Sequence, residues 1–193
     1  MSDFQNLKIE KNFNIFHANV NSLESKFDTL QTFLCGAKLA LDVIAITETS
    51  ESIEHSFIKN VTMEGYKLYS TPTGSAKGGT ALYVKSDYDV FERKELNIQN
   101  NLFESTWIEI KNKNSKNIVC GSIYRHPRYL NSDITEFNKY MDSTLKKLVN
   151  EKKELYICGD FNIDLLKMNE IEKYLEFYTS ISTWSTPIHH SAS

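Results

Sequence analysis

Three short apolar runs along the chain each end in oxygen-bearing side chains. Phe13-Asn14-Ile15-Phe16 passes into His17-Ala18-Asn19-Val20-Asn21, Leu41-Asp42-Val43-Ile44-Ala45-Ile46 into Thr47-Glu48-Thr49, and Leu155-Tyr156-Ile157-Cys158 into Gly159-Asp160-Phe161-Asn162. Apolar blocks this short read as buried strands, here near 12–18, 42–47 and 154–160. Between the first two, Leu23, Phe27, Leu30 and Leu34 recur at helical spacing and predict a helix near 22–35, with Asn21 and Glu24 placed as a capping box. A second amphipathic helix is expected over 134–150, where Ile134, Phe137, Met141, Leu145 and Leu148 form the stripe and Asp133 and Glu136 stand at cap spacing. A third, near 169–180, would bury Ile171, Leu175 and Tyr178.

The middle of the chain reads differently. After a polar, less regular stretch from Glu51 to Glu64, residues 66–71 and 80–85 pattern as paired strands around the turn-forming segment Thr73–Gly79. Further strands are expected at 88–95, 104–111 and 117–124, the last two joined by a turn at Lys111-Asn112-Lys113-Asn114. Mixed βα alternation with a central run of hairpins predicts an α/β fold of two sheets with helices outside. Residues 1–180 read as one domain and 181–193 as an irregular tail without period; there is no internal repeat.

Composition narrows the picture only modestly. The chain has 193 residues, of which 40% are hydrophobic, with 11 Phe and 10 Tyr, enough for one packed domain. A formal net charge of −3 neither demands nor excludes a polyanionic partner, so a nucleic-acid binder of this balance would need a local basic patch. The three cysteines, Cys35, Cys120 and Cys158, have no zinc-knuckle spacing and no even pairing; Cys120 and Cys158 lie in apolar strand-like runs and read as buried free thiols in a reducing compartment. The amino terminus lacks an apolar signal core, and no run approaches a membrane span.

Open α/β sheets place their sites at the carboxyl ends of strands, which directs attention to the polar ends of the three runs. Glu48 is open to two readings, a helix cap or loop carboxylate, or a ligand for a hard divalent cation. Asp160 and Asn162 are two apart and share a face if extended. They form either an Asx-type turn or a pair in which Asp160 orients or deprotonates an attacking water and Asn162 holds that water or a phosphate oxygen without adding negative charge. Asn21 reads as a helix cap, whereas Asn19, inside the strand exit, is placed to fix the Asp160 side chain. Tyr124-Arg125-His126-Pro127-Arg128 closes another apolar strand, either as a solvated loop or as a phenol and cations facing a phosphate backbone, with Lys77 and Lys85 able to extend that patch. The glycine spacing of Gly74–Thr80 is that of a P-loop, but Thr80 stands where its lysine belongs. The pair His189-His190 sits in the aperiodic tail and is assigned no catalytic role.

Taken together, five segments in order resemble the endonuclease/exonuclease/phosphatase superfamily, and within it the apurinic-like endonuclease domain of non-LTR retrotransposon polyproteins. They are Asn19-Val20-Asn21-Ser22-Leu23, Asp42–Thr49, Gly65-Tyr66 with Lys77–Val84, Ile123–Pro127, and Gly159-Asp160-Phe161-Asn162-Ile163-Asp164. The resemblance covers residues 12 to about 180. It implies a four-layer sandwich of two mixed β-sheets flanked by helices, and Mg²⁺-dependent hydrolysis (Mn²⁺ as the alternative ion) of a DNA phosphodiester to give a nick that primes reverse transcription. It implies Glu48 as the metal ligand, Asp160 and Asn162 as the nucleophile-handling pair, Asn19 as their partner, Tyr124 as the phosphate-side tyrosine, and Arg125, His126, Arg128 and Lys77 toward nucleic acid. Asn21 lies where the superfamily's repair enzymes carry an aspartate, which argues against a tight second metal position.

The superfamily's closing serine-aspartate-histidine strand has no match here, so the resemblance is to an amino-terminal part of the domain without its C-terminal strands. Positioned acid–base groups contribute about 10²–10⁴-fold, and the expectation is that the isolated chain nicks DNA poorly or not at all. The alternatives are an inert remnant or binding fragment of the same fold, and a phosphatase or lipid phosphoesterase of the same superfamily. The resemblance further implies DNA as partner, no membrane, a reverse transcriptase domain downstream in a parent polyprotein, and a nuclear location.

Overall fold

Small and β-branched residues dominate Val43–Thr47, and this segment (β2) is a strand buried along its whole length. In the computed structural model, which describes residues 13–51, 56–73, 77–113, 115–127 and 131–163, β2 lies inside a four-stranded sheet. Ile15–Asn19 (β1) runs parallel to it on one side; Thr80–Lys85 (β4) and then Tyr66–Thr71 (β3) run antiparallel on the other, in the order β1-β2-β4-β3. The second sheet contains Val90–Glu92 (β5), Ile98–Gln99 (β6), Phe103–Ile110 (β7), Ile118–Arg125 (β8) and Glu154–Asp160 (β9). Its order is β5-β7-β8-β9 with β6 also on β7, and only β8–β9 is parallel. The helices are Leu23–Ala37 (α1), Ser56–Asn60 (α2) and Asn131–Asn150 (α3). Two mixed sheets flanked by helices are the expected α/β architecture.

The described residues fall in two compact units. Residues 13–126 with Glu154–Phe161 form the first, which holds both sheets; Pro127–Lys153 and the residues from Asn162 form the second. In the second unit, α3 buries Ile134, Phe137, Met141, Leu145 and Leu148, the stripe expected from their spacing. The helix expected near 169–180, the tail at 181–193, Arg128 and the pair His189-His190 lie outside the described residues.

Within the first unit the sheets meet through alternating side chains. Val43, Ala45, Leu82 and Val84 face Ile108, Ile110, Ile118 and Cys120 in one buried cluster. The opposite faces of β2 and β4 carry Ile44, Ile46, Ala81 and Tyr83, which pack with Leu23, Phe27 and Leu30 of α1 and Phe57 of α2. Period-two alternation thus supplies two cores, one on each face of the first sheet. Hydroxyls tie the sheets nearer the strand ends. Ser122 Oγ donates to the Ile46 carbonyl (3.0 Å), Thr71 Oγ1 to the Ser105 carbonyl (3.0 Å) and Thr106 Oγ1 to the Thr80 carbonyl (2.9 Å).

Two local expectations are corrected. The Asn21/Glu24 capping box does not form: α1 begins at Leu23 with Ser22 at the cap position and no side-chain cap. The first helical amides are taken instead by backbone, Ser22 N–H donating to the Glu48 carbonyl (2.8 Å) and Leu23 N–H to the Thr49 carbonyl (2.9 Å), while Glu24 accepts from Asn60 Nδ2 (2.6 Å). The strand expected over 88–95 shortens to Val90–Glu92, because Arg93 turns into a loop closed by Leu96 N–H on its carbonyl (2.8 Å). Its side chain is held by Glu109 (2.7 Å) and Glu95 (2.6 Å).

At the opposite end of β2 from its polar exit, Asp42 gathers three donors. The Asn14 backbone N–H (2.8 Å) reaches Oδ2, and Lys85 Nζ (3.0 Å) and the Tyr88 hydroxyl (2.9 Å) reach Oδ1. Burial alone would raise its carboxyl, but these donors and the lysine charge outweigh it and hold the group below its ordinary value. A depressed folded-state value means the stabilisation is present above the unfolded carboxylate range, roughly pH 4, and is lost as pH falls through the lower folded value. Asp42→Asn should cost about 1–3 kcal/mol at neutral pH in urea titrations. The gap between variant and wild type should narrow in the same titration as pH falls below the ordinary carboxylate range.

Candidate active site

The inner faces of both sheets are graded in polarity along the strands. On β7 the inward series is Ile110, Ile108, Thr106, Glu104; on β8 it is Ile118, Cys120, Ser122, Tyr124. The β1 series is Ile15, His17, Asn19. Register places Glu104 opposite Tyr124, and Tyr124 opposite Asp160, in one row across three strands; Asn19 stands opposite Thr47 in the other sheet. Apolar, hydroxyl and charged layers therefore follow one another toward the same end of the first unit.

At that end Asn19 draws two carboxylates together. Its Nδ2 donates to Glu48 Oε1 (2.9 Å) and to Asp160 Oδ2 (2.7 Å). Glu48 follows β2 in left-handed backbone (φ 55°), a conformation uncommon for a side-chain-bearing residue. Three backbone hydrogen bonds fix the loop around it. Val20 N–H donates to Thr47 O (3.1 Å), Ser22 N–H to Glu48 O, and Ser50 N–H to Gly78 O (2.9 Å). Tyr124 is buried, and the Glu48 carboxylate acts on its phenol. Burial first, then the charge and hydrogen bond of Glu48, then Asp160 and Glu104, push its phenol far up. Tyr124 therefore remains a protonated donor across the physiological range.

The other expected residues divide. Lys77 is exposed, with its carbonyl accepting from Thr73 Oγ1 (3.3 Å). His126 is half-buried, its ring edge-on to Tyr124 at 4.9 Å and 74°. Arg125 is turned inward instead, with only 3% of its surface exposed, and its Nε donates to the Phe161 carbonyl (2.7 Å) just past Asp160. The arginine read from sequence as facing a phosphate thus braces the exit of β9. Asn162 lies beyond β9 in left-handed backbone (φ 48°) and belongs to the second unit.

Two groups near the site escaped the sequence reading. His17 sits one layer below Asn19 with Nε2 3.2 Å from Thr47 Oγ1; burial lowers its imidazole against the opposing charge of Asp160. Glu104, 2% exposed, is the other. Its signal was its place in β7, as far from the hairpin turn as Tyr124 is in β8; the strand's other carboxylate, Glu109, is held by Arg93.

The donor set of two carboxylates and amides suits a hard cation that completes its shell with water or phosphate oxygens. Among the described residues no group of three or more His, Cys, Asp or Glu side chains forms a closed metal cage.

The sequence matches the model of the Endonuclease/Exonuclease/phosphatase family over residues 12–187. The chain belongs to that family. The family's enzymes generally use divalent metals. No curated protein sequence matches it. Among solved structures it is similar to the AP endonuclease LMAP from Leishmania major, with a TM-score of 0.65 and 13% identity, covering 88% of this chain and 66% of that one. The Xenopus laevis APE2 catalytic domain is similar at 0.59 and 16%, covering 90% and 68%. The 3′ phosphatase NExo from Neisseria, bound to product DNA hairpin, is similar at 0.59 and 15%, covering 89% and 71%. These likenesses carry the fold: two mixed sheets with outer helices are common to the family chain and its neighbours. Among the described residues no helix is long and apolar enough to cross a membrane.

Asn19 holds the two carboxylates by donation alone, which gives a direct test. Asn19→Asp would set a third negative charge against Glu48 and Asp160. The variant should melt below wild type in metal-free buffer, by about 1–3 kcal/mol of stability. Millimolar Mg²⁺ should raise its melting temperature more than that of wild type in the same thermal-shift assay.

Proposed function

We propose that this chain is a divalent-metal-dependent phosphodiesterase that nicks DNA, of the kind carried by non-LTR retroelements, with Mg²⁺ as its ion. The observation that supports the reading most is the single Asn19 amide gathering Glu48 and Asp160 beside a tyrosine locked as a donor. Glu48, with the amide oxygen of Asn19, would hold the ion, which when bound supplies Lewis-acid stabilisation of charge on the phosphate oxygens. Asp160 orients the attacking water and accepts its proton; its tie to Asn19 keeps the carboxylate on the line of attack. The Tyr124 hydroxyl donates to the negative charge that grows on the phosphate. Lys77 and His126 would contact the nucleic acid. In a parent polyprotein, the nick would hand a 3′ hydroxyl to a reverse transcriptase in the nucleus.

Supercoiled plasmid incubated with the purified chain and millimolar Mg²⁺ should convert slowly to open circles, and chelation should stop it. Glu48→Gln and Asp160→Asn should each lower the rate about 10²-fold or more. Tyr124→Phe should lower it roughly 10–100-fold, the equivalent of one hydrogen bond to a charged group. Hydrolysis of inositol or sugar phosphates with the plasmid left intact would move the chain to the phosphatase branch.

A further inference from the structure

Burying a carboxylate costs several kcal/mol unless its oxygens are satisfied, and Glu104 is buried at the inner end of β7, where the proposed chemistry makes no use of it. Its two oxygens reach separate parts of the site. Oε2 accepts the Gly79 N–H, at the start of the strand that pairs with β2. Oε1 faces His126 Nε2 at 3.8 Å. Gly78 completes the contact. With φ at +112°, a Cβ there would fall 2.5 Å from Glu104 Oε2 and 3.0 Å from His126 Cε1, so only glycine lets the loop close on this carboxylate and this ring. Gly78 and Gly79 carry the carbonyls that receive Ser50 N–H and Thr49 N–H, next to Glu48. The flanking Lys77 is exposed. With Nε2 turned to Glu104, the imidazole has Nδ1 as its other polar atom.

We infer that Glu104 is a positioning residue for the phosphate-binding face, its carboxylate fixing the Lys77–Gly79 loop and the His126 imidazole where both meet one phosphate of a DNA strand. This rests on the nuclease reading for its ligand, but not for the positioning itself. Because the groups it holds act on the bound strand rather than on the reacting water, its loss should appear in binding.

The test is a double-mutant cycle of Glu104→Gln and His126→Ala. Affinity is read by fluorescence anisotropy of a short duplex in Ca²⁺, and KM and kcat from plasmid nicking in Mg²⁺. Each single variant should weaken duplex binding and raise KM about tenfold with kcat little changed, and the double variant should be no worse than either single one. Additive losses, or a fall in kcat at constant KM, would overturn the inference. Amide hydrogen exchange at Gly79 and the His126 ring resonances need no substrate. In Glu104→Gln the Gly79 amide should exchange faster and the ring signals should shift. If both are unchanged, Glu104 positions nothing, whether or not the wild type cuts DNA. A wild type that neither binds nor nicks DNA, yet shows these two changes on substitution, would sink the phosphate assignment together with the nuclease reading and leave the loop-fixing role standing. Should Glu104→Gln fail to fold, Gly78→Ala, which presses on the same carboxylate from the loop, replaces it in the cycle with the same expected pattern.

Discussion

Everything at the polar end depends on the dry seam between the two sheets. Val43, Ala45, Leu82 and Val84 against Ile108, Ile110, Ile118 and Cys120 leave one way for the sheets to stack, since a shift of a single residue along any strand would turn its inner face outward. Asn19 and Glu48 come from one sheet; Tyr124 and Asp160 come from the other. Their meeting is therefore a long-range consequence of aliphatic packing several residues below. The Ser122–Ile46 hydrogen bond sits between the two layers and satisfies polar groups that water cannot reach.

The same alternation explains what was legible beforehand. Most strands and both described long helices follow from period and run length, and the grouping of Asn19, Glu48, Tyr124 and Asp160 follows from strands that end in polar residues. Details that depend on partners distant in sequence were not legible. Nothing in Asn21 or Glu24 reveals that the first amides of α1 are already taken by the carbonyls of Glu48 and Thr49. Arg125 looks identical in sequence whether it faces solvent or reaches inward to Phe161. Glu104 was hidden for the same reason: one of two carboxylates in β7, it stands out only once the hairpin register sets it opposite Tyr124.

The charges of the site are balanced by geometry more than by countercharge. Glu48, Asp160 and Glu104 all lie near Tyr124 and raise its phenol, and the one histidine below them is held toward neutrality by burial. The amide of Asn19 and the backbone N–H of Gly79 take the place of cations. A site so assembled carries a negative field that favours an incoming divalent ion and keeps neighbouring hydroxyls protonated.

The splice between α1 and the segment after β2 has a consequence for how such a chain can vary. Because the helix takes its first carbonyl partners from Glu48 and Thr49, inserting or deleting one residue there would uncap the helix and displace the Glu48 side chain in the same step. Length changes are tolerated where backbone groups face water, as around the exposed residues Lys111, Asn112, Lys113, Ser115 and Lys116 between β7 and β8. Diversification among kindred sequences should accordingly concentrate in that hairpin and leave the spacing from Val43 to Ser50 unaltered.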